Sequence, residues 1–246
     1  MNSAFGRYSF LVLPLFARFA CRWWLAGFLA LGLSGCASSS LVGLLSDSFA
    51  GAFGSSGAQK IPLNPNPAYR YLRVEVDGRP PALLVLGYVD AHPLGEIEVW
   101  YSANGEVIKL QNGRIVGTAG LEVDWRAVQF TLAPPVWTGV ASQSGLYERS
   151  RDQMPGHHFA ILDHIALRPW QGVPPIKLPA TISSARASTY LWFSDVTLVS
   201  TAQVLPPAWF AWGSHGGQAM VVYSEQCLSD KFCLKLLRWP LQNGAS

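Results

Sequence analysis

From Tyr69 onward, apolar and polar positions alternate in short runs, a pattern typical of half-buried β-strands. Residues 71–77 and 96–101 alternate in this way, and residues 82–89 (ALLVLGYV) are the apolar run of a buried strand. Further strands are predicted at 107–110, 114–116, 129–132, 158–167, 188–199, 218–223 and 232–239. No long helix is predicted after residue 60.

Short turns separate the first strands. Gly and Asn readily take a positive φ, so three dipeptides are read as turns: 77–78 (DG), 104–105 (NG) and 112–113 (NG). Such closely spaced turns predict an antiparallel meander. The fold class predicted for residues 61–246 is all-β: a single antiparallel meander domain, arranged as a sandwich or as a large curved, barrel-like sheet of about ten strands.

Residues 1–35 have the charge pattern of a secretory signal peptide. Arg7, Arg18 and Arg22 are the only charged residues before position 36, and thirteen uncharged residues, 23–35, follow them. An uncleaved membrane anchor is the alternative, because residues 8–17 are also apolar. Two arginines would then sit in the bilayer at about 3 kcal/mol each. We therefore predict a cleaved signal peptide.

The signal ends in Leu33, Ser34, Gly35 and Cys36, which has the form of a bacterial lipobox recognised by a signal peptidase. The small side chains give the peptidase access to the bond before Cys36, whose thiol takes a diacylglyceryl group. Each buried CH₂ contributes about 0.8 kcal/mol, so two or three chains hold a protein on a bilayer almost irreversibly. Cys36 is the predicted lipid attachment residue, and the membrane is the first predicted partner.

Residues 36–60 are predicted to form a lipidated tether. Serine- and glycine-rich runs at 38–40 and 54–57 flank a short amphipathic helix. Its apolar residues recur at every fourth position: Leu41, Leu45, Phe49 and Phe53.

The composition excludes two classes of protein. Hydrophobic residues make up 50% of the chain and charged residues only 13%, which argues against intrinsic disorder. The net charge of +3 comes from the leader, because 15 basic and 15 acidic side chains remain without its three arginines. A nucleic-acid binder needs a surplus of Lys and Arg, so no nucleic-acid partner is expected.

Cys227 and Cys233 are the cysteines that remain after the leader and the lipid site are set aside. In an oxidising compartment such a pair is expected to form a disulfide, and two free buried thiols are the alternative. The spacing is not CxxC and there are no neighbouring ligands, so neither a redox role nor a zinc site is predicted.

Residues 83–126 carry a family resemblance. The runs that carry it are 86–89 (LGYV), 98–105 (EVWYSANG), 112–121 (NGRIVGTAGL) and 124–126 (DWR). With the lipobox, they resemble the YjbF/GfcB family of lipoproteins of exopolysaccharide and group 4 capsule systems. The resemblance implies a mostly antiparallel β protein at the outer membrane, encoded beside a large outer-membrane β-barrel protein. It implies no catalytic residues.

Three residues are candidates for glycan or partner contact. Trp209 and Trp212 lie in a segment flanked by proline and glycine, which we expect to be exposed, and aromatic faces stack on sugar rings. Arg114 follows the 112–113 turn, at the start of a glycine-containing strand. Core packing is the alternative for each tryptophan, and a twisted hairpin at a sheet edge is the alternative for residues 112–120.

Candidates for metal binding and catalysis are weaker. His157, His158 and His164 lie close together, but they lack the spacing of a helical zinc site and are expected to be structural or exposed. Glu96 and Glu98 share a strand face and are expected to point to solvent. No metal, cofactor or catalytic residue is predicted.

The leading hypothesis is a non-enzymatic outer-membrane lipoprotein, facing the periplasm, that assists exopolysaccharide or capsule assembly or export. Its predicted partners are the membrane, an outer-membrane β-barrel secretion protein and polysaccharide. One alternative is an envelope glycan hydrolase, which needs two carboxylates about 5 Å or about 6.5–9.5 Å apart. The other is a carbohydrate-binding module.

Overall fold

Twelve antiparallel strands form one sheet in the computed structural model, which describes residues 65–137 and 144–241. The strands are β1 (Tyr71–Glu75), β2 (Ala82–Asp90), β3 (Ile97–Tyr101), β4 (Val107–Gln111), β5 (Arg114–Ala119), β6 (Asp124–Leu132), β7 (Gly145–Met154), β8 (His158–Trp170), β9 (Leu191–Ser200), β10 (Ala208–His215), β11 (Gln218–Cys227) and β12 (Cys233–Trp239). One short helix, α1 (Ser184–Ala187), precedes β9. None of the helices in this part of the chain has the length and apolar character needed to cross a membrane.

The strands follow chain order around a nearly closed, barrel-like sheet. Their order is β5-β4-β3-β2-β1-β12-β11-β10-β9-β8-β7-β6, so the first and last strands of the chain pair with each other. The two edge strands, β5 and β6, are consecutive in the chain. The Thr118 hydroxyl of β5 accepts a hydrogen bond from the Trp125 backbone N–H (2.9 Å) and donates one to Asp124 (2.9 Å). The predicted all-β, barrel-like meander is confirmed.

The interior of the barrel follows the period-two alternation of the strands. Leu72 and Val74 of β1 and Leu234 and Leu236 of β12 belong to one buried cluster, which also contains Trp100 and Trp125. A second cluster lies on the opposite face of β9 to β12, where Ile182 and Ala187 of the β8–β9 connection pack on Leu237. The connection therefore covers the outside of these strands.

Strand β7 was not predicted, because two of its inward positions are arginines. Arg149 and Arg151 both donate to the fully buried carboxylate of Asp163 on β8, at 2.9 and 2.8 Å. Burial raises the pKa of Asp163, but Arg149, Arg151 and a hydrogen bond from Ser200 outweigh it and hold the pKa below its ordinary value. The ion pairs replace apolar contacts, so β7 shows no apolar alternation.

Two further expectations were wrong in detail. Residues 209–213 are expected from the sequence to be exposed, but they belong to β10, which pairs with both β9 and β11. The strand expected from residue 188 begins at Leu191, because α1 and its C-terminal cap occupy residues 184–188. The prolines before β10 and the glycines after it mark the ends of this strand and do not indicate exposure.

Candidate functional site

The candidate site lies at one end of the barrel, which is here called the cleft end. In an antiparallel meander every second connection lies at the same end. The cleft end therefore combines the start of β1, the end of β12, and the connections β2–β3, β4–β5, β6–β7, β8–β9 and β10–β11. Three adjoining hollows lie there, with volumes of about 360, 190 and 740 Å³.

The β4–β5 turn bends over the barrel and shapes these hollows. Asn112 and Gly113 both have positive φ (49° and 80°), as a two-residue hairpin requires. Gly113 packs so closely on β11 that an added Cβ would lie 2.5 Å from the Cβ of Val221. The carbonyl of Gly113 accepts from the Gln226 side chain (2.9 Å), and the carbonyl of Asn112 accepts from the Trp137 indole (2.8 Å).

The first hollow, the Arg114 pocket, is lined by Gln111, Asn112, Arg114, Phe130, Trp137, Trp212 and neighbouring prolines. Arg114 donates to Asp195 through Nε (3.0 Å), and the Tyr147 hydroxyl donates to the same carboxylate (2.6 Å). The guanidinium carbon of Arg114 lies 4.0 Å from the centre of the Trp137 ring. Arg114 is thus held both by charge and by stacking.

Charge states in this pocket follow from burial and pairing. Burial lowers the pKa of Arg114, but Asp195 and Tyr147 raise it further, so the net shift is upward and the guanidinium stays charged. Burial and the neighbouring Asp195 raise the pKa of Tyr147, which stays a neutral hydrogen-bond donor. The lining residues include aromatic rings and polar groups but no Asp or Glu. This lining suits a neutral or anionic ligand with apolar faces, such as a sugar.

The largest hollow, the Arg238 cleft, lies between the entry to β1, the β10–β11 turn and the end of β12. Its walls include Tyr69, Arg70, Trp100, His215, Gln218, Arg238 and Trp239. Arg238 donates to both oxygens of Glu98 (3.0 and 2.5 Å), and Arg70 donates to one of them (2.6 Å). Burial, followed by the charges of Arg238 and Arg70, lowers the pKa of His215.

The smallest hollow, the Glu98 hollow, joins the other two. Asn112 and Trp212 line both it and the Arg114 pocket, and Met220 and Arg238 line both it and the Arg238 cleft. Glu96 and Glu98 also line it. The three hollows therefore form one continuous row across the cleft end.

The structure brings two of the three predicted contact residues together. Arg114 and Trp212 line the same pocket, and Trp212 lies 6.3 Å from Trp137, centre to centre. Trp209 points to the other face of β10 and packs edge-on against Trp170, with ring centres 5.0 Å apart. Trp209 and Trp212 are both half-buried, so the exposed patch expected from the sequence is not present.

The other predicted residues lie elsewhere. Cys227 and Cys233 form a disulfide (S–S 2.00 Å) at the opposite end of the barrel. His164 contacts Glu148 (2.9 Å) on the β7–β8 pair, and the described residues contain no group of three or more potential metal ligands. Glu98, expected to face solvent, is bound by two arginines. The lipobox residues Leu33, Ser34, Gly35 and Cys36 lie outside the described residues.

Sequence reasoning missed the residues of the Arg238 cleft. Arg238 follows Leu234 and Leu236 on the inward face of β12, and an arginine in an apolar alternation is a usable sign of a buried ion pair. Arg70 and His215 carried no such sign. Arg70 meets Arg238 because β1 pairs with β12, and His215 lies near Arg238 because β11 pairs with both β10 and β12.

Fold and site together define a β-barrel-like protein with a row of hollows, lined by arginines and aromatic rings, at one end. The family model described as "Group 4 capsule polysaccharide lipoprotein gfcB, YjbF" matches residues 59–177. The match confirms the resemblance found in the sequence over this part of the chain. The family is described as one of lipoproteins associated with capsule polysaccharide, and its description names no enzyme activity.

A solved structure shares the fold. The crystal structure of the hypothetical lipoprotein YmcC from Escherichia coli (K12) is similar, with a TM-score of 0.50 and 15% sequence identity. The similarity covers 72% of this chain and 86% of YmcC. A search among curated proteins finds no match.

Proposed function

We propose that this protein is a lipid-anchored, non-catalytic component of the outer membrane that binds capsule or exopolysaccharide at the cleft end, facing the periplasm. The observation that carries the proposal is the continuous row of three hollows, in which arginines lie beside indole rings. Apolar ring faces with a few fixed polar groups suit the alternating faces and hydroxyls of sugars. The association of the family with capsule polysaccharide supports the same ligand class.

The anchor would act by confinement. A lipid on Cys36 would hold the domain at one membrane and raise its effective concentration near a secretion partner. The 28 residues between Cys36 and Pro65 span at most about 100 Å when fully extended. Pro65 is itself part of the Arg238 cleft. The anchoring chain would therefore enter the domain beside the proposed polymer site, and an outer-membrane β-barrel protein is the partner proposed for export.

The polymer proposal is tested by retention of native polysaccharide on purified lipoprotein from solubilised outer membrane. Trp212→Ala is expected to lower retention at least fivefold, because it removes a ring from two of the three hollows. Trp209→Ala is the matched control, since this ring lies on the other face of the same strand, and it should retain polymer like wild type. Equal retention by all three proteins would refute the proposal.

The anchor and the partner are tested separately. Mass spectrometry of the native protein should show an acylated amino-terminal Cys36, and Cys36→Ala should be released from the membrane. Cross-linking in cells should join the wild-type protein, but not Cys36→Ala, to an outer-membrane β-barrel protein. An intact leader, or an unlipidated start, would contradict the proposed location.

A glycan hydrolase is the second candidate, because Glu96 and Glu98 both line the Glu98 hollow. Both oxygens of Glu98 are engaged by arginines, which favours binding over acid–base chemistry. Incubation with purified polysaccharide should leave its size distribution unchanged for wild type and Glu96→Gln alike. Shortening by wild type that disappears in Glu96→Gln would establish the hydrolase instead.

A further inference from the structure

The Arg238 cleft contains more positive charge than its single carboxylate partner balances. Arg70 and Arg238 share Glu98, so two guanidinium groups face one carboxylate. No Asp or Glu is among the described residues that line the cleft. His215 stands on the β10–β11 side and faces these arginines, whose charges disfavour its protonation. The local field therefore favours an anion.

The arginines are held in place but differ in access. The side chain of Arg238 is 7% exposed and its guanidinium carbon lies 5.1 Å from the centre of the Trp100 ring, so it is fixed by packing. The side chain of Arg70 is 54% exposed and can reach a ligand in the cleft. A planar guanidinium recognises a carboxylate through two parallel hydrogen bonds, which gives specificity as well as affinity.

The indoles of the cleft add unused donors. The Nε1–H groups of Trp100 and Trp239 are buried and have no hydrogen-bond partner among the described residues. Buried polar groups are nearly always paired, so two unpaired donors beside one cleft are an unusual feature of this end of the barrel. Tyr69, which is 43% exposed at the rim, offers a ring face for stacking. The volume of about 740 Å³ lies within the range of small-molecule sites.

We propose that the Arg238 cleft binds a carboxylate-bearing sugar residue, with Arg70 as the residue that selects for negative charge. The inference rests on the proposed polysaccharide binding and adds the class of sugar. The Arg114 pocket would take adjoining residues of the same chain, since the Glu98 hollow joins the two sites.

The test uses the full lipidated protein in detergent and two chemically matched probes, a galacturonic acid trisaccharide and its methyl ester. Isothermal titration calorimetry should show at least tenfold weaker binding of the ester to wild type. Arg70→Gln should lower the affinity for the acid at least fivefold and leave that for the ester unchanged. Arg168→Gln, which removes an exposed arginine that does not line any of the three hollows, is the control and should bind as wild type.

Three results would overturn the inference: equal affinity for acid and ester, full affinity in Arg70→Gln, or no binding of either probe. These failures are distinct from failure of the proposed function. If Trp212→Ala loses native polymer while wild type binds acid and ester equally, the proposed polysaccharide binding is supported and the proposed selection for negative charge is wrong. If no variant changes polymer retention, the polymer site itself is wrong.

Discussion

The two Asn-Gly turns of this chain carry the same sequence signal and have different structures. At 104–105 only Gly105 takes a positive φ (87°), and an added Cβ there would meet nothing within 4 Å. At 112–113 both residues take positive φ, and Gly113 presses on Val221. The first turn only reverses the chain. The second also caps the barrel and lines the Arg114 pocket.

The difference extends to the two ends of the barrel. The end that carries Gly105 has a half-exposed ion pair between Arg79 and Glu122 and the Cys227–Cys233 disulfide, which closes a short loop. The cleft end has a buried ion pair between Arg114 and Asp195. The two ends therefore differ in how deeply their ion pairs are buried, and Arg114 also lines a hollow.

The largest effect is expected at the buried ion pair of the cleft end. Arg114→Gln leaves Asp195, whose side chain is 6% exposed, with Tyr147 as its remaining donor, so unfolding free energy should fall by about 3–5 kcal/mol. Arg79→Gln, at the half-exposed pair of the opposite end, should cost about 0–1 kcal/mol. Urea denaturation measures both, and equal losses would remove the distinction between the ends.

The turns themselves provide the next comparison. Gly113→Ala should cost about 2–5 kcal/mol, because it combines left-handed strain with a clash against Val221. Gly105→Ala should cost about 1–2 kcal/mol, since only the strain applies. Thermal unfolding of both variants under the same conditions measures the two losses. A Gly105 variant as unstable as the Gly113 variant would contradict the structural account.

The disulfide separates stability from binding. It closes a short loop, so replacing Cys227 and Cys233 together by Ser should cost about 2 kcal/mol. Because the bond lies at the end away from the hollows, affinity for polysaccharide should not change. Denaturant titration and polymer retention on the same preparation test both halves. Lost retention in a still-folded variant would mean that the two ends are coupled.

The smallest effect concerns His215 in the Arg238 cleft. Its pKa in the folded protein lies below the ordinary value of 6.5, through burial and then the charges of Arg238 and Arg70; Glu98 is the carboxylate beside these arginines. The unfolded chain therefore binds a proton first, so stability should fall as the pH drops through about 6.5 toward the folded-state pKa. His215→Asn should remove this contribution to the pH dependence of the unfolding free energy. NMR titration of the His215 ring checks that its pKa is lowered.

Much of the fold was predictable because alternation and turn chemistry are local. The strands around residues 71–77, 82–89 and 96–101 were expected from side-chain periodicity alone. Strand β7 was not, because Arg149 and Arg151 can be interior residues only when both bind Asp163 of the neighbouring strand. Trp212 and Arg114 were chosen as separate candidates, and their shared pocket depends on the β4–β5 turn reaching β10.

The sequence by itself determined the strand pattern, the hairpin turns, the family resemblance and the predicted anchor at Cys36, because each depends on neighbouring residues. Tertiary structure alone decided that Arg70 and Arg238 share Glu98, and that Arg114 lies among Trp137, Tyr147 and Asp195. These contacts join residues far apart in the chain, and around Arg114 and Arg238 the enclosing sheet removes the water that would otherwise screen their charges. The periodicity of side chains along the chain predicts neither the distant contacts nor the exclusion of water.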